Sequence, residues 1–118
     1  MDTIQELAVE MKAVLQESGW HQGAMRGPDG SLDILGARDM ALFGKLGDVP
    51  DHPLRFDFNR VAFGLLGGDV SSLSTWNDAS GRTLDDVLAL LDQIASLTDG
   101  EVHQAILDHA KAVSRSAR

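Results

Sequence analysis

The sequence contains no cysteine, and only 5% of its residues are aromatic. Without cysteine the chain can form no disulfide, no thiolate nucleophile and no thiolate zinc site. No apolar run approaches the roughly 20 residues that span a bilayer, and the acidic start MDTIQELAVE lacks the apolar centre of a secretory signal. These absences predict a cytoplasmic protein that does not contact membranes.

Positive charge is also scarce, with 10 Lys and Arg against 18 Asp and Glu and a net charge of -8. An acidic body repels phosphates, so we expect no direct contact with nucleic acid. The carboxylates could instead imitate a nucleic acid and block an enzyme that binds one. They are interleaved with Lys12, Arg38, Arg55 and Arg60, however, which is more typical of an ordinary solvated surface.

The remaining pattern is helical. At 118 residues the chain fits one domain, 1–118, with one hydrophobic core. Apolar residues recur at helical spacing after Thr3, from about Leu32 to Gly47, after Pro53, after Thr83 and after Thr98. We therefore predict an all-α fold, a compact bundle of four main helices plus a C-terminal fifth.

Two details refine this prediction. The turn signal Gly27-Pro28-Asp29-Gly30 leaves room for one short hairpin after the first helix, joining 21–25 to 31–34. The segment DVSSLSTWND is too short and polar for a full helix, so we expect a single turn near 70–73. Thr3 with Glu6, Thr83 with Asp86, and Thr98 with Glu101 have the spacing of capping boxes.

Three short motifs follow one another along the chain: GWHQG at 19–23, LGA at 35–37 and WNDASGRTLDDV at 76–87. In this order and spacing they resemble a family of small bacterial proteins of unknown function. Its members show Gly-Trp-x-Gln-Gly, a Gly-Ala helix, and Trp-Asn-Asp leading into Arg-Thr. One departure is His21, where the family more often has threonine.

The resemblance implies a mostly helical core over 3–97 and leaves 98–118 as an additional helix. It draws attention to Trp76, Asn77, Asp78, Arg82 and Thr83. It implies no activity, because none is established for the family.

The stretch WNDASGRT allows a purely structural interpretation. Asp78 to Gly81 fits a type I turn, and Thr83 fits a helix N-cap. Arg82 would pair with Asp78 across that turn, and Trp76 would close the end of the bundle. Asn77 and the choice of arginine over lysine at 82 are left unexplained.

A functional interpretation places a ligand here. Asn77, Asp78 and Arg82 would surround a pocket beside a helix N-terminus, a place that favours an anion, although Asp85 and Asp86 oppose one. Gln22 would face them from the first loop. The candidate ligand-binding residues are Gln22, Trp76, Asn77, Asp78 and Arg82.

Catalytic patterns are missing from the sequence. The four histidines lack metal-ligand spacing, and there is no nucleophile elbow or phosphate loop. We therefore predict no catalytic residue, metal or cofactor. The expected function is a non-enzymatic binding or accessory protein that recognises a protein partner or a small molecule. A small enzyme or anion sensor using Asn77, Asp78 and Arg82, and an acidic nucleic-acid mimic, are the alternatives; an apolar patch could also support a homodimer.

Overall fold

The computed structural model describes residues 1–67 and 72–116, and the side chains of residues up to 114. Within these ranges the chain forms six α-helices and no β-strand. The all-α prediction is confirmed, with one helix more than the four to five expected. The helices are α1 (Ile4–Ser18), α2 (Ile34–Phe43), α3 (Pro53–Leu66), α4 (Leu73–Asp78), α5 (Leu84–Ala95) and α6 (Asp99–Ser116).

The additional helix is α4, which contains the LSTWND segment. The single turn predicted near 70–73 falls partly on 70 and 71, which lie outside the described residues; from Leu73 onward the chain forms a helix that extends to Asp78. Ser72 caps α4 by accepting a hydrogen bond from the Thr75 backbone N–H. A six-residue helix is not stable alone, so the burial of Leu73, Trp76 and Asn77 must stabilise it.

Capping residues begin three of the longer helices where the sequence predicted them. Thr83 and Asp86 form a reciprocal capping box, and Thr98 and Glu101 exchange the same pair of bonds. Thr3 caps α1 by accepting from the Glu6 N–H, but the Glu6 carboxylate contacts the Thr3 hydroxyl instead of its backbone. Only half of that predicted box is formed.

Helix α2 is shorter than predicted at both ends. It begins at Ile34 because the Asp33 side chain accepts from the Gly36 N–H, and it ends at Phe43 because Gly44 adopts a left-handed φ of 71°. A Cβ at Gly36 would lie 2.3 Å from the Met25 carbonyl oxygen. The absence of a side chain at Gly36 therefore allows the loop that precedes α2 to pack against this helix.

The hairpin allowed for after α1 is not formed. Leu32 makes isolated bridges to both Trp20 and Arg26, and these do not extend into strands. The predicted turn is present, with the Gly30 N–H bonded to the Gly27 carbonyl at 3.0 Å. Single hydrogen bonds, such as those from the His21 N–H to the Leu32 carbonyl and from the Asp33 N–H to the Met25 carbonyl, hold this loop in place of a continuous ladder.

The core lies between α1 and its neighbours α2 and α5, and α6 packs on α3. Leu7, Met11, Leu15, Phe58 and Leu91 are among its fully buried side chains. Trp20 is half-buried and packs against the edge of this core. No helix in the described ranges is long and apolar enough to cross a membrane.

Helix α6 packs on its own chain. A Cβ at Gly64 would lie 1.9 Å from the Ala105 carbonyl oxygen, so α3 and α6 approach backbone to backbone. Beside this contact the rings of Phe63 and His109 stack with centroids 5.3 Å apart. His109 therefore packs as an aromatic side chain against α3.

Candidate functional site

Asn77 lies at the centre of the predicted site and is fully buried. Its Oδ1 accepts from Trp20 Nε1 at 2.7 Å and from the Ile34 backbone N–H at 3.1 Å. Its Nδ2 donates to the His21 carbonyl at 3.0 Å and to Asp78 Oδ1 at 2.9 Å. An amide side chain offers two donors and two lone pairs, so every hydrogen-bonding position of Asn77 is occupied.

These four bonds join three segments of the chain. The Ile34 N–H is the first of α2 and has no acceptor within its own helix. Trp20 and His21 belong to the loop that follows α1, and Asn77 itself belongs to α4. A single buried amide thus connects the end of α1, the start of α2 and the short helix α4.

Gln22 and Asp78 strengthen the same connection. Gln22 Nε2 donates to the carbonyls of Asn77 and Ala79, at 3.0 and 3.1 Å, which satisfies oxygens at the end of α4. Asp78 Oδ1 accepts from the Gly23 N–H at 3.0 Å. Both contacts tie the GWHQG loop to the WND segment.

The predicted pairing of Arg82 with Asp78 is not formed. Arg82 Nε donates to the Trp76 carbonyl at 2.9 Å, and its guanidinium lies over the Trp76 ring, 4.3 Å from the centroid. Trp76 is 9% exposed and closes this end of the bundle, as the structural interpretation expected. A planar guanidinium can stack on a ring while it donates along its edge, which explains arginine rather than lysine here.

The turn predicted at Asp78 to Gly81 is displaced by one residue. Asp78 is the last residue of α4, and the Arg82 N–H bonds to the Ala79 carbonyl at 3.0 Å. The displacement occurs because Asp78 belongs to the last turn of α4, so the chain reversal begins one residue later, at Ala79.

All five predicted site residues are therefore neighbours, but most of their polar atoms are bonded to one another or to the backbone. Gln22 and Asp78 are exposed, and Arg82 is half-exposed. The contacts of the described residues leave Gln22 Oε1, Trp76 Nε1, Asp78 Oδ2 and the Arg82 terminal nitrogens without a protein partner. Only these outward groups can meet a ligand. The remainder of the cluster holds the fold together.

Sequence reasoning did not single out Asp33, although its carboxylate lies close to this cluster. It is 3% exposed and accepts from the Gly36 N–H at 2.6 Å. Burial raises the pKa of Asp33, and repulsion from Asp78 adds to this, while the Gly36 hydrogen bond acts in the opposite direction. Its signal was an aspartate immediately before an apolar helical run, which is an N-cap position.

A second polar cluster was also missed. Arg38 and Asp39 are 4% and 1% exposed on α2, and they meet Arg55 and Asn59 of α3. The available signal was an adjacent pair of opposite charges inside the apolar run LGARDMAL. Helical spacing alone could not show that both charges point inward.

Metal ligands do not gather in the described ranges, where no three His, Asp or Glu side chains are placed to hold an ion. His52 caps α3, with Nδ1 accepting from the Leu54 N–H at 3.1 Å. That bond requires an unprotonated Nδ1, so the His52 imidazole has a structural use.

These features define the class of protein: a small all-α domain whose loops and short helix meet at one buried asparagine. A model of the family of unknown function DUF6197 matches residues 1–97, and the chain belongs to this family. Helix α6 lies beyond the matched range. No curated protein and no solved structure matches the chain. The match agrees with the predicted family of unknown function, and the bacterial origin stays a prediction.

Proposed function

We propose that this chain is a non-enzymatic binding domain that recognises a protein partner through the outer face of α1. The observation that carries the proposal is a groove of about 410 Å³ lined by Met1, Glu6, Val9 and Glu10. Val9 is 57% exposed and Met1 44% exposed. Apolar side chains in a surface groove, bordered by carboxylates, favour a partner that presents an apolar side chain next to lysine or arginine.

The rigidity of α1 supports this use. Its inner face is buried through Leu7, Ala8, Met11 and Leu15, and it packs against both α2 and α5. Lys12 also forms an ion pair with Asp92 of α5 at 2.8 Å. A helix that is already fixed loses little conformational entropy when a partner binds its outer face.

The alternative of a small enzyme or anion sensor has less support. Of its proposed ligand groups, the Asn77 side chain and Gln22 Nε2 are occupied by internal hydrogen bonds, as described above. Among the candidate residues of the described part of the chain, unused polar atoms remain on Gln22, Trp76, Asp78 and Arg82. The acidic mimic also stays a prediction.

Crosslinking followed by reconstitution tests the proposed face. A photoreactive residue at position 9 identifies candidate partners, and each is purified and titrated against the parent protein by calorimetry. We expect Val9→Asp and the double change Glu6→Lys with Glu10→Lys to weaken binding about tenfold or more, because they remove the apolar contact and reverse the charge.

Leu107→Asp is the matched control, since Leu107 is a 40% exposed apolar residue on α6. It should leave the affinity unchanged. Equal affinity of the parent and the α1 variants for every reconstituted partner would contradict the proposal.

A thermal-shift screen of small anions and metabolites tests the alternative. A compound that raises the melting temperature of the parent and not of Arg82→Ala would favour the sensor over the partner-binding domain.

A further inference from the structure

The second polar cluster has an excess of positive charge. Arg38 Nε donates to Asp39 Oδ1 at 2.9 Å, and Arg55 Nε donates to the same oxygen at 3.1 Å. Arg55 Nη2 reaches Asp39 Oδ2 at 3.3 Å. Two guanidinium groups therefore share one carboxylate that is 1% exposed. The three groups together carry a net charge of +1, in a chain whose net charge is -8.

Arg38 has more N–H donors than the cluster offers acceptors. Its Nη1 donates to Asn59 Oδ1 at 2.8 Å, which supplies a neutral acceptor and no balancing charge. Its Nη2 has no acceptor among the residues that the structure describes. Every buried side-chain nitrogen and oxygen in that part of the chain has a partner, so Nη2 must reach the surface.

Arg55 presents a second unused donor in the same cluster. The side chain is 28% exposed, and its Nη1 has no acceptor among the residues described. Because both Nε atoms bond to the same oxygen of Asp39, the two guanidinium groups are immediate neighbours. Asp33 also attracts Arg38, but its Oδ1 is bonded to the Gly36 N–H, and no hydrogen bond joins it to Arg38.

Asp39 is the one carboxylate that is hydrogen-bonded to either guanidinium among the described residues, and a nearly buried charge is stabilised by a partner that is also hydrogen-bonded to it. From this geometry we infer that Arg38 and Arg55 form a binding site for a small oxyanion of the phosphate type. The anion accepts from Arg38 Nη2 and Arg55 Nη1, while Asp39 fixes the orientation of both guanidinium planes. Planar guanidinium groups are suited to phosphate oxygens, and charge-assisted bonds of this kind are strong. The site does not depend on the proposed partner-binding face.

Inorganic phosphate is the probe, titrated at constant ionic strength made up with sodium chloride. Binding is followed by the ¹⁵N resonances of the arginine Nε groups and by the melting temperature. We expect saturable shifts of the Arg38 and Arg55 signals and a saturable rise in melting temperature. Methyl phosphate distinguishes the source of the group: tighter binding than phosphate assigns the site to a phosphate ester, and weaker binding to the free ion.

Two variants and one control make the test specific. Arg55→Gln should weaken phosphate binding about tenfold or more, because a charged donor is lost. Arg60→Gln should not, since Arg60 lies on the same helix but is exposed and bonded to Asp57. Asn59→Asp keeps the acceptor for Arg38 and adds the missing negative charge, so it should fold at least as well and lose the phosphate response.

Phosphate binding that is equally tight in the parent, Arg55→Gln and Asn59→Asp overturns the inference. A rise in melting temperature that does not saturate and is common to all variants also overturns it, because exclusion of phosphate from protein surfaces produces such a rise without a site.

Discussion

At the scale of single residues, Asn77 and Arg82 show what sequence reasoning left open. Both were unexplained by turn and cap rules, and this made them candidates for a site. In the structure Asn77 fills all its hydrogen-bonding positions, and Arg82 both stacks on Trp76 and bonds to its carbonyl. Each therefore has a structural role, and only the outward terminal nitrogens of Arg82 are left for a functional one.

Replacing Asn77 should destabilise the protein strongly. Asn77→Ala leaves the buried Ile34 N–H and the Trp20 indole N–H without an acceptor, and we expect a loss of about 2–4 kcal/mol in the free energy of unfolding. Urea unfolding followed by tryptophan fluorescence measures this. Ser80→Ala, at an exposed position nearby, is the control. A loss no larger than that of the control would show that water replaces the amide.

At the scale of helices, the packing of α6 on α3 depends on one glycine. The sequence predicted a C-terminal helix but not its neighbour, because its apolar stripe is thin and could suit another molecule. Gly64 brings the two backbones into contact, and Phe63 and His109 stack beside it. A glycine in the last turn of α3 is therefore best explained by close helix contact, despite its unfavourable helix propensity.

Gly64→Ala should loosen α6. The added Cβ would meet the Ala105 carbonyl, which is backbone and cannot rotate away, so we expect a loss of about 1–3 kcal/mol and faster amide exchange throughout α6. Hydrogen exchange with mass spectrometry resolves the effect by segment.

Gly100→Ala is the matched comparison within the same pair of helices. Its Cβ would find its nearest neighbour at 3.9 Å in the first turn of α6, so the change should stabilise the protein by about 0.4–1 kcal/mol. If α6 exchanged at the parental rate in Gly64→Ala, the helix contact would not hold α6 in place.

At the scale of the whole molecule, two carboxyl groups, Asp33 and Glu101, make the stability of the fold depend on pH in opposite directions. Burial and then repulsion from Asp78 raise the pKa of Asp33. The contribution of Asp33 to the free energy of unfolding is therefore present below its usual pKa of 3.8, and it is lost as the pH rises through the pKa of the folded state. Hydrogen bonds that the Glu101 carboxylate accepts from the Thr98 backbone and from the Thr98 side chain lower the pKa of Glu101. The contribution of Glu101 to the free energy of unfolding is therefore present above its usual pKa, and it is lost as the pH falls through the lower pKa of the folded state.

The pH dependence of unfolding can therefore separate the two groups. Asp33→Asn retains a capping oxygen but cannot ionise, so its stability relative to the parent should increase as the pH rises from below 3.8 to neutrality. Glu101→Gln should show the reverse trend. Melting temperatures across this range measure both, and parallel curves for Asp33→Asn and the parent would mean that Asp33 ionises freely in the folded state.

The sequence by itself determined the local features of this protein. Helical spacing predicted the all-α class, and Thr83 with Asp86 began α5 where expected, because periodicity and capping depend on residues only a few positions apart. The same local rules missed α4 as a helix and extended α2 too far, since a six-residue helix is stabilised by what it packs against.

Only the tertiary structure decided how distant residues combine. Asn77 bonds to residues more than forty positions away, and Arg38, Asp39 and Arg55 meet between two helices. The sequence analysis correctly predicted that Gln22, Trp76, Asn77, Asp78 and Arg82 are neighbours. It did not predict the hydrogen bonds among them. Hydrogen-bond partners depend on angles and distances within tenths of an ångström, and spacing along the chain does not specify these.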